Sequence, residues 1–374
     1  MTDLIDEITA KALRLNVPLN VQLDLTYRCN ERCVHCYLDH HDHGEMTTAE
    51  IKHLIQEMAD AGVFTLTLSG GEIFVRKDFF EIVEHARRLT FSIKLKTNAV
   101  LIREHEASRL RELGVHDVQV SIYSHRAEVH DGITLVPGSL ARSLDAIRFM
   151  VAEGLKVTMA YVLMKRNIGD YAAVQALAQE LGAEFTMDPT ITPMMDGDRS
   201  VLSLGVDQSA LRRIYRDSSL VGNVEEFCGI PADGGQMDLD ARPCSAGHTS
   251  CYVSPYGDVF PCVQFPLPTG NVRRERFVDI WRHSTRMNEV RAIRLKDLPT
   301  CSSCTHVSNC SRCPGLAYME GNMRGPSTQD CEKSFARSGV PSANMLAKGR
   351  AVANLVQIQP LSAPLNQAAP GAMA

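Results

Sequence analysis

Cys29, Cys33 and Cys36 set the chemistry open to this chain, because a Cys-x3-Cys-x2-Cys run presents three soft thiolates from one short loop. The usual protein shell of a four-iron cluster is four cysteines, so three leave one iron open to chelate a substrate or cofactor. On spacing alone, a zinc site completed by His35, His40, His41 or His43 is the alternative. Otherwise His40, His41 and His43 read as a solvated loop ahead of a capped helix. Eight further cysteines follow, Cys244, Cys251, Cys262, Cys301, Cys304, Cys310, Cys313 and Cys331. The two Cys-x2-Cys pairs among them suit a zinc ribbon, and all eight together suffice for two fully ligated four-iron clusters. Cys228, the twelfth, stands apart and reads as a buried small hydrophobe.

Composition removes several other classes. The 374 residues are 44% hydrophobic and 22% charged, a globular chain of two or three domains at roughly 150 residues each. With 39 basic against 44 acidic side chains and a net charge of −5, there is no electrostatic footprint for nucleic acid. No apolar stretch approaches the ~20 residues that a membrane span needs. Asp3, Asp6 and Glu7 stand where a signal peptide would carry a basic start and an apolar core. The expectation is a cytoplasmic protein that engages neither membrane nor nucleic acid. In that reducing compartment clustered thiols read as metal ligands before disulfides.

These residues need a scaffold, and periodicity predicts one. Short β-rich runs at Val21–Leu25, Phe64–Leu68, Ile93–Lys96, Val118–Ile122, Val157–Leu163 and Glu184–Met187 alternate with helical segments. The helices fall at Ala49–Ala61, Asp78–Leu89, Arg103–Leu113, Leu140–Glu153 and Asp170–Leu181. In the first of them Ile51, Leu54, Ile55 and Met58 share one face, and Thr47 with Glu50 forms a capping box. Gly62, Gly114, Gly154 and Gly182 follow four of the helix ends, where left-handed C-caps place glycine. Such alternation predicts parallel strands joined by right-handed crossovers, an α/β layer or barrel with its chemistry on the loops after the strands. The triad directly follows the first strand, and Ser69–Gly70–Gly71–Glu72 follows the second. The rhythm breaks over Pro193–Arg242, with turn signals at Asp196–Gly197–Asp198 and Asp233–Gly234–Gly235 and one helix near Gln208–Arg216. From Cys244 onward the segments are short, with a hairpin over Val253–Val259, as expected where metal clusters replace a large core. Beyond Gly339 the composition predicts a mobile tail with one weak helix near Leu346–Leu355.

On these residues the chain resembles the radical S-adenosylmethionine (SAM) enzymes, whose signature is the CxxxCxxC triad; His35 holds the place of the family's usual aromatic residue. The resemblance implies a partial (β/α)6 TIM-like barrel. It also implies that the open iron binds the amino and carboxylate groups of SAM, which is cleaved reductively to methionine and a 5′-deoxyadenosyl radical. Gly70, Gly71 and Glu72 match the family's GGE element, whose backbone carbonyl accepts from the SAM ammonium. Glycine suits that role because a missing Cβ lets the main chain approach a ligand. Thr97, Asn98 and Ser121 resemble positions near the SAM ribose and carboxylate. Sulfatase-maturing relatives place a basic residue for the SAM carboxylate after a His-Asp pair. Here His130–Asp131 is followed by Gly132, Ile133 and Thr134, which leaves Lys165 or Arg166 as substitutes.

The later array resembles the SPASM extension of those enzymes. That resemblance implies one auxiliary cluster on Cys244, Cys251, Cys262 and Cys313 and a second on Cys301, Cys304, Cys310 and Cys331, with Trp281 anchoring a short helix between them. The cofactor set is then three 4Fe-4S clusters and SAM, and because some radical SAM epimerases use a free cysteine as hydrogen donor, the resemblance offers Cys228 for that role. Val263 and Gln264 stand where sulfatase-maturing enzymes carry a catalytic aspartate, and Cys310 where the pyrroloquinoline quinone peptide cyclase has an aspartate ligand. Leu25–Thr26–Tyr27–Arg28–Cys29–Asn30, the His130 to Thr134 run and Cys313–Pro314–Gly315–Leu316–Ala317 match many bacterial peptide maturases. The expectation is a radical SAM oxidoreductase that crosslinks or oxidises a peptide, served by an electron donor such as flavodoxin or ferredoxin. Only ~20 residues precede the first strand, too few for a recognition domain, so a separate precursor-recognition protein is expected as partner. A radical SAM decarboxylase of a tetrapyrrole or other small molecule is the alternative activity, and a non-enzymatic zinc-binding protein the alternative class. The expected division is a lead-in at 1–18, the radical SAM core at 19–195, a bridge at 196–243, the SPASM domain at 244–338 and the tail at 339–374.

Overall fold

Alternation of apolar and polar residues makes the strands and decides which face of the sheet turns inward. The computed structural model describes residues 2–230 and 238–355. Helix α1 (Thr2–Leu15) leads into β1 (Asn20–Thr26), α2 (Thr48–Asp60), β2 (Thr65–Gly70), α3 (Phe79–Arg88), β3 (Ser92–Thr97) and α4 (Glu104–Glu112). Then come β4 (Asp117–Ser121), α5 (Ala127–Thr134), α6 (Ser139–Ala152), β5 (Lys156–Val162), α7 (Tyr171–Glu180) and β6 (Glu184–Asp188). All six strands are parallel and lie in the order β6-β5-β4-β3-β2-β1 without closing, a partial (β/α)6 barrel. Leu23, Leu25, Leu66, Leu68, Ile93, Leu95, Val118 and Val120 point outward into one apolar core shared with Ile51, Leu54, Ile55 and Met58 of α2. The capping box of α2 is formed in both directions, and Gly62, Gly114, Gly154 and Gly182 all sit at positive φ after their helices.

The bridge holds α8 (Gln208–Ile214), α9 (Ser218–Val221) and α10 (Val224–Cys228). The turn at Asp196–Gly197–Asp198 is present, whereas the expected turn at Asp233–Gly234–Gly235 lies outside the described residues. After it come β7 (Ser250–Val253), β8 (Asp258–Phe260), β9 (Gly270–Asn271), α11 (Phe277–His283), α12 (Thr285–Ala292), α13 (Pro314–Met319), α14 (Thr328–Ser338) and α15 (Ala343–Leu355). Of the expected tail, Ala343–Leu355 is helical, and the residues after 355 lie outside the description.

The hairpin of the cysteine-rich region joins the barrel sheet. Strand β7 pairs with β1 in parallel, Asn20 opposite Ser250 and Leu23 opposite Val253, so the nine strands run β6-β5-β4-β3-β2-β1-β7-β8-β9. Trp281 is fully buried, donates its Nε1–H to the Asn16 carbonyl at 2.8 Å and carries the Arg291 guanidinium 4.3 Å above its ring. It therefore fastens α11 to the lead-in segment, as well as anchoring its own short helix. Among the described residues no helix is long and apolar enough to cross a membrane.

Candidate active site

A cavity of about 540 Å³ opens at the carboxyl ends of the barrel strands and runs down along their inner face. That volume is in the range of small-molecule and cofactor pockets. Cys29, Cys33 and Cys36 line it together with Gly70, Gly71, Thr97, Asn98 and Ser121, so five of the six residues expected at SAM lie around the triad. Glu72 is the exception, being turned into the protein.

The Glu72 carboxylate is 1% exposed and serves as a clamp between two loops. The Thr97 hydroxyl lies 2.8 Å from both of its oxygens, the Asn98 backbone N–H donates to Oε2 at 2.8 Å, and the Phe74 N–H donates to Oε1 at 3.1 Å. Burial raises its pKa, and these donors pull it back. Fixed in this way, Asn98 directs its amide at Asn30 Oδ1, 2.8 Å away, and at the Cys29 sulfur, 3.8 Å away.

The two glycines have a reason the sequence did not reveal. A Cβ on Gly70 would stand 2.2 Å from the Thr26 carbonyl oxygen, and one on Gly71 would stand 2.4 Å from that of Arg28 and 2.6 Å from that of Tyr27. The Gly71 N–H donates to the Thr26 carbonyl at 2.7 Å and the Glu72 N–H to that of Arg28 at 3.0 Å. The close approach is to the chain that carries Cys29, so the glycines seat the cysteine loop as well as facing the cavity.

The other side of that loop hangs on α5. Arg32 and Val34 donate their N–H groups to the carbonyls of Thr134 and Ile133 at 3.1 and 3.0 Å. His130 accepts the Tyr123 N–H at 3.2 Å, and Asp131 accepts from Gly138, Ser139 and Leu140 at the start of α6. The His-Asp-Gly-Ile-Thr run is thus a bracket for the triad. Lys165 and Arg166 donate to the carbonyls of Ser203 and Gly132, and neither lines the cavity. His35 packs edge-on against Tyr123 at 4.8 Å and burial lowers its pKa to about 4, so it is a neutral ring doing the packing of an aromatic. Of the loop histidines, His41 and His43 are exposed, whereas His40 lines the cavity. Cys228 is not brought there: its thiol donates to the Tyr215 carbonyl at 3.3 Å and packs on the apolar core.

The eleven clustered thiols fall into three neighbourhoods. Cys29, Cys33 and Cys36 lie within electrostatic reach of one another, as do Cys301, Cys304, Cys310 and Cys331, whereas in the remaining set Cys262 is the hub that Cys244, Cys251 and Cys313 each feel. Burial pushes Cys29 up to about 12 and Cys244 and Cys301 to about 11. Yet backbone amides already aim at the sulfurs, from Glu31 to Cys29 and from Leu316 to Cys313 at 3.4 Å, from Tyr37 and Leu38 to Cys36 and from Ala246 to Cys244. Donors pointed at buried sulfur fit thiolates held by a bound cationic group. Among the described residues no three His, Cys, Asp or Glu side chains form a group able to hold a single metal ion.

Sequence reasoning missed the barrel lumen. Gln22, Lys96, Gln119, Thr186 and Asp188 line the cavity from the inner face, joined by Val263 and Gln264 directly after Cys262. On the same face of β1, two residues past Gln22, Asp24 is fully buried, and Tyr252 donates to its Oδ2 at 3.0 Å and Gln22 to its Oδ1 at 3.1 Å. The signal was present as polar residues in one phase of strands whose other phase is Val, Leu and Ile.

Comparison with known proteins agrees with this geometry. The family model of the Radical SAM superfamily matches residues 23–177, and that of SPASM, an iron-sulfur cluster-binding domain, matches 244–314. The AdoMet-dependent heme synthase of Methanosarcina barkeri is 29% identical over 326 residues, 81% of this chain and 93% of the relative. The mycofactocin maturase MftC of Mycobacterium tuberculosis is 28% identical over 353 residues, 90% and 88% of the two chains. Streptococcus suis SuiB bound to its precursor peptide SuiA shares the fold at a TM-score of 0.68 and 17% identity, over 87% of this chain and 79% of that one.

Proposed function

A radical SAM domain followed by an iron-sulfur SPASM domain makes this chain a radical SAM enzyme, and from that premise we propose that it modifies a peptide by crosslinking or side-chain oxidation. The observation that carries the reading is the shared cavity: the triad loop, the Gly70–Gly71 turn and the residues after Cys262 all face one space. Cys29, Cys33 and Cys36 would hold the SAM-binding cluster, and the two groups of four would hold the auxiliary clusters, three in all. When bound, the clusters and SAM supply a 5′-deoxyadenosyl radical, with the electron entering from a donor of the flavodoxin or ferredoxin class.

The chain's own residues bind and orient. Gly71 and Asn98, held by the Tyr27–Arg28 backbone and by Glu72, fix the cofactor side. Val263 and Gln264 form the wall toward the first auxiliary site, where Gln264 donates to Thr192 Oγ1 at 2.9 Å and braces the segment after β6. A crosslink removes two hydrogens from the peptide. One would leave as the atom taken up in 5′-deoxyadenosine, and the other as a proton released to solvent and an electron accepted at the auxiliary iron-sulfur sites, which balances the electron spent on cleaving SAM.

The maturase name carried by MftC favours a peptide, and the heme synthase name makes a tetrapyrrole the rival. Incubation of the reduced enzyme with SAM and candidate precursor peptides, with or without a separate recognition protein, decides between them. The expected result is 5′-deoxyadenosine together with a peptide lighter by about 2 Da per crosslink or dehydrogenation. Turnover confined to a tetrapyrrole, with loss of about 46 Da per carboxyl group removed as formic acid equivalents, would replace the peptide reading. A colourless protein containing zinc alone after anaerobic reconstitution would remove both.

A further inference from the structure

Lys96 is the one lysine or arginine among the residues that line the cavity. It projects from the inner face of β3, and its ammonium donates to the side-chain Oε1 of Gln22 at 3.0 Å. Among the described residues it makes no ion pair within 4.0 Å. Gln22 bridges it to the nearby acid Asp24, its amide nitrogen donating to Asp24 at 3.1 Å while its Oε1 faces the ammonium, so Asp24 acts on Lys96 as a neighbouring charge and not as a direct ion-pair partner. Asp24 is occupied on its other oxygen by Tyr252 at 3.0 Å, and Tyr27 stands 2.6 Å behind that hydroxyl. This chain of contacts fixes one of the ammonium's donors and leaves the others turned to the cavity. Val263 and Gln264, beside Cys262, face the same space as the triad, so the ammonium lies in the region where substrate meets both cluster sites.

We infer that Lys96 is the anion anchor of the substrate, its ammonium receiving a carboxylate and holding it between the triad and the Cys262 side of the cavity. A cation that stands open to the cavity with spare donors is matched by a singly charged planar acceptor. Glu31 and Asp188 also line the cavity and oppose a more highly charged group such as a phosphate. The inference rests on this cavity being the substrate site of a radical SAM enzyme, and it holds for a carboxylate from a peptide side chain or chain end as for one on a small molecule.

Anaerobic equilibrium dialysis of the reconstituted, SAM-loaded enzyme with labelled 3-phenylpropanoate and its neutral amide tests it. The acid should bind about tenfold or more tightly than the amide, and Lys96→Met should abolish that preference while Lys96→Arg retains it. Lys96→Gln serves where the methionine variant fails to load iron. An unchanged preference in both neutral variants overturns the assignment. So does a loss of labelled SAM binding of the same size, which would give the ammonium to the SAM carboxylate instead. Competition separates the sources: displacement by an acidic or free-ended peptide but not by its amidated form supports the anchor and the peptide reading together. Displacement only by a propionate-bearing tetrapyrrole keeps the anchor and removes the peptide reading.

Discussion

Two carboxylates show how far single residues can be read. Glu72 was legible as part of a Gly-Gly-Glu signature, but its role as a clamp depends on Thr97 and Asn98, which only the fold brings beside it. Glu72→Gln replaces an acceptor with a group that must turn an NH2 toward a donor. It should cost about 1–3 kcal/mol of stability. It should also weaken SAM binding while iron loading persists, as read by urea denaturation and SAM dialysis. Unchanged values of both would remove the clamp. Asp24 was not legible at all, because nothing local distinguishes an inward aspartate from a solvated one. Burial raises it from 3.8 to about 6. The folded chain therefore binds this proton more tightly than the unfolded chain, and the stability so gained is complete below about pH 4 and gone above about pH 6. Asp24→Asn lacks that loss. The variant should gain on the wild type by up to about 3 kcal/mol across that window and by nothing further above it. Urea midpoints of both proteins at about pH 5 and about pH 7.5 measure the part of the gap that opens there.

At the scale of elements, strands β1 to β6 and five of the six helices between them were read from periodicity to within about two residues, because all but β6 turn buried apolar residues to the core. Helix α5 escaped because its eight residues contain Gly132 and offer little periodicity, yet its carbonyl end carries the triad loop. The grouping of the thiols was read only by resemblance, since spacing does not pair Cys313 with Cys244. Close backbone approaches at two elements now separate the cluster sites experimentally. A Cβ on Gly315, in the first turn of α13, would stand 2.2 Å from the Gln264 carbonyl oxygen, beside Cys262, whereas Gly71 abuts the segment that carries Cys29. Backbone atoms do not yield as a flexible side-chain tip does. Gly315→Ala should lower iron by about four atoms per chain with SAM binding kept, and Gly71→Ala should weaken SAM binding with the auxiliary iron kept. Iron and sulfide analysis beside SAM dialysis distinguishes them. Equal damage to both sites from either variant would contradict the separate seating of the two loops.

Over the whole molecule, the division into a SAM core and a SPASM domain describes sequence better than it describes folding units. Strand β7 extends the parallel sheet beside β1, and Val253, Val259, Phe277, Ile280, Trp281 and Met287 belong to the same apolar core as Leu23, Leu66 and Ile93. No sequence pattern announced this, because register between strands more than 200 residues apart is a tertiary fact. A chain ending at residue 243 would lose the partner of β1 and leave the N–H and C=O groups of that edge unpaired, including Leu19 and Asn20, which donate to Thr249 at 2.8 and 3.0 Å. It would also uncover Val21, Leu23 and the lead-in segment that Trp281 fastens. An exposed, apolar-flanked edge is a template for aggregation. The 1–243 chain should therefore be insoluble or lack a cooperative unfolding transition even though it keeps Cys29, Cys33 and Cys36, while the full chain should unfold its barrel and hairpin together. Parallel circular-dichroism melts of the two chains test this. A soluble, cooperatively folding 1–243 fragment that takes up four irons and binds SAM would show that the shared sheet is an attachment and not a condition of the fold.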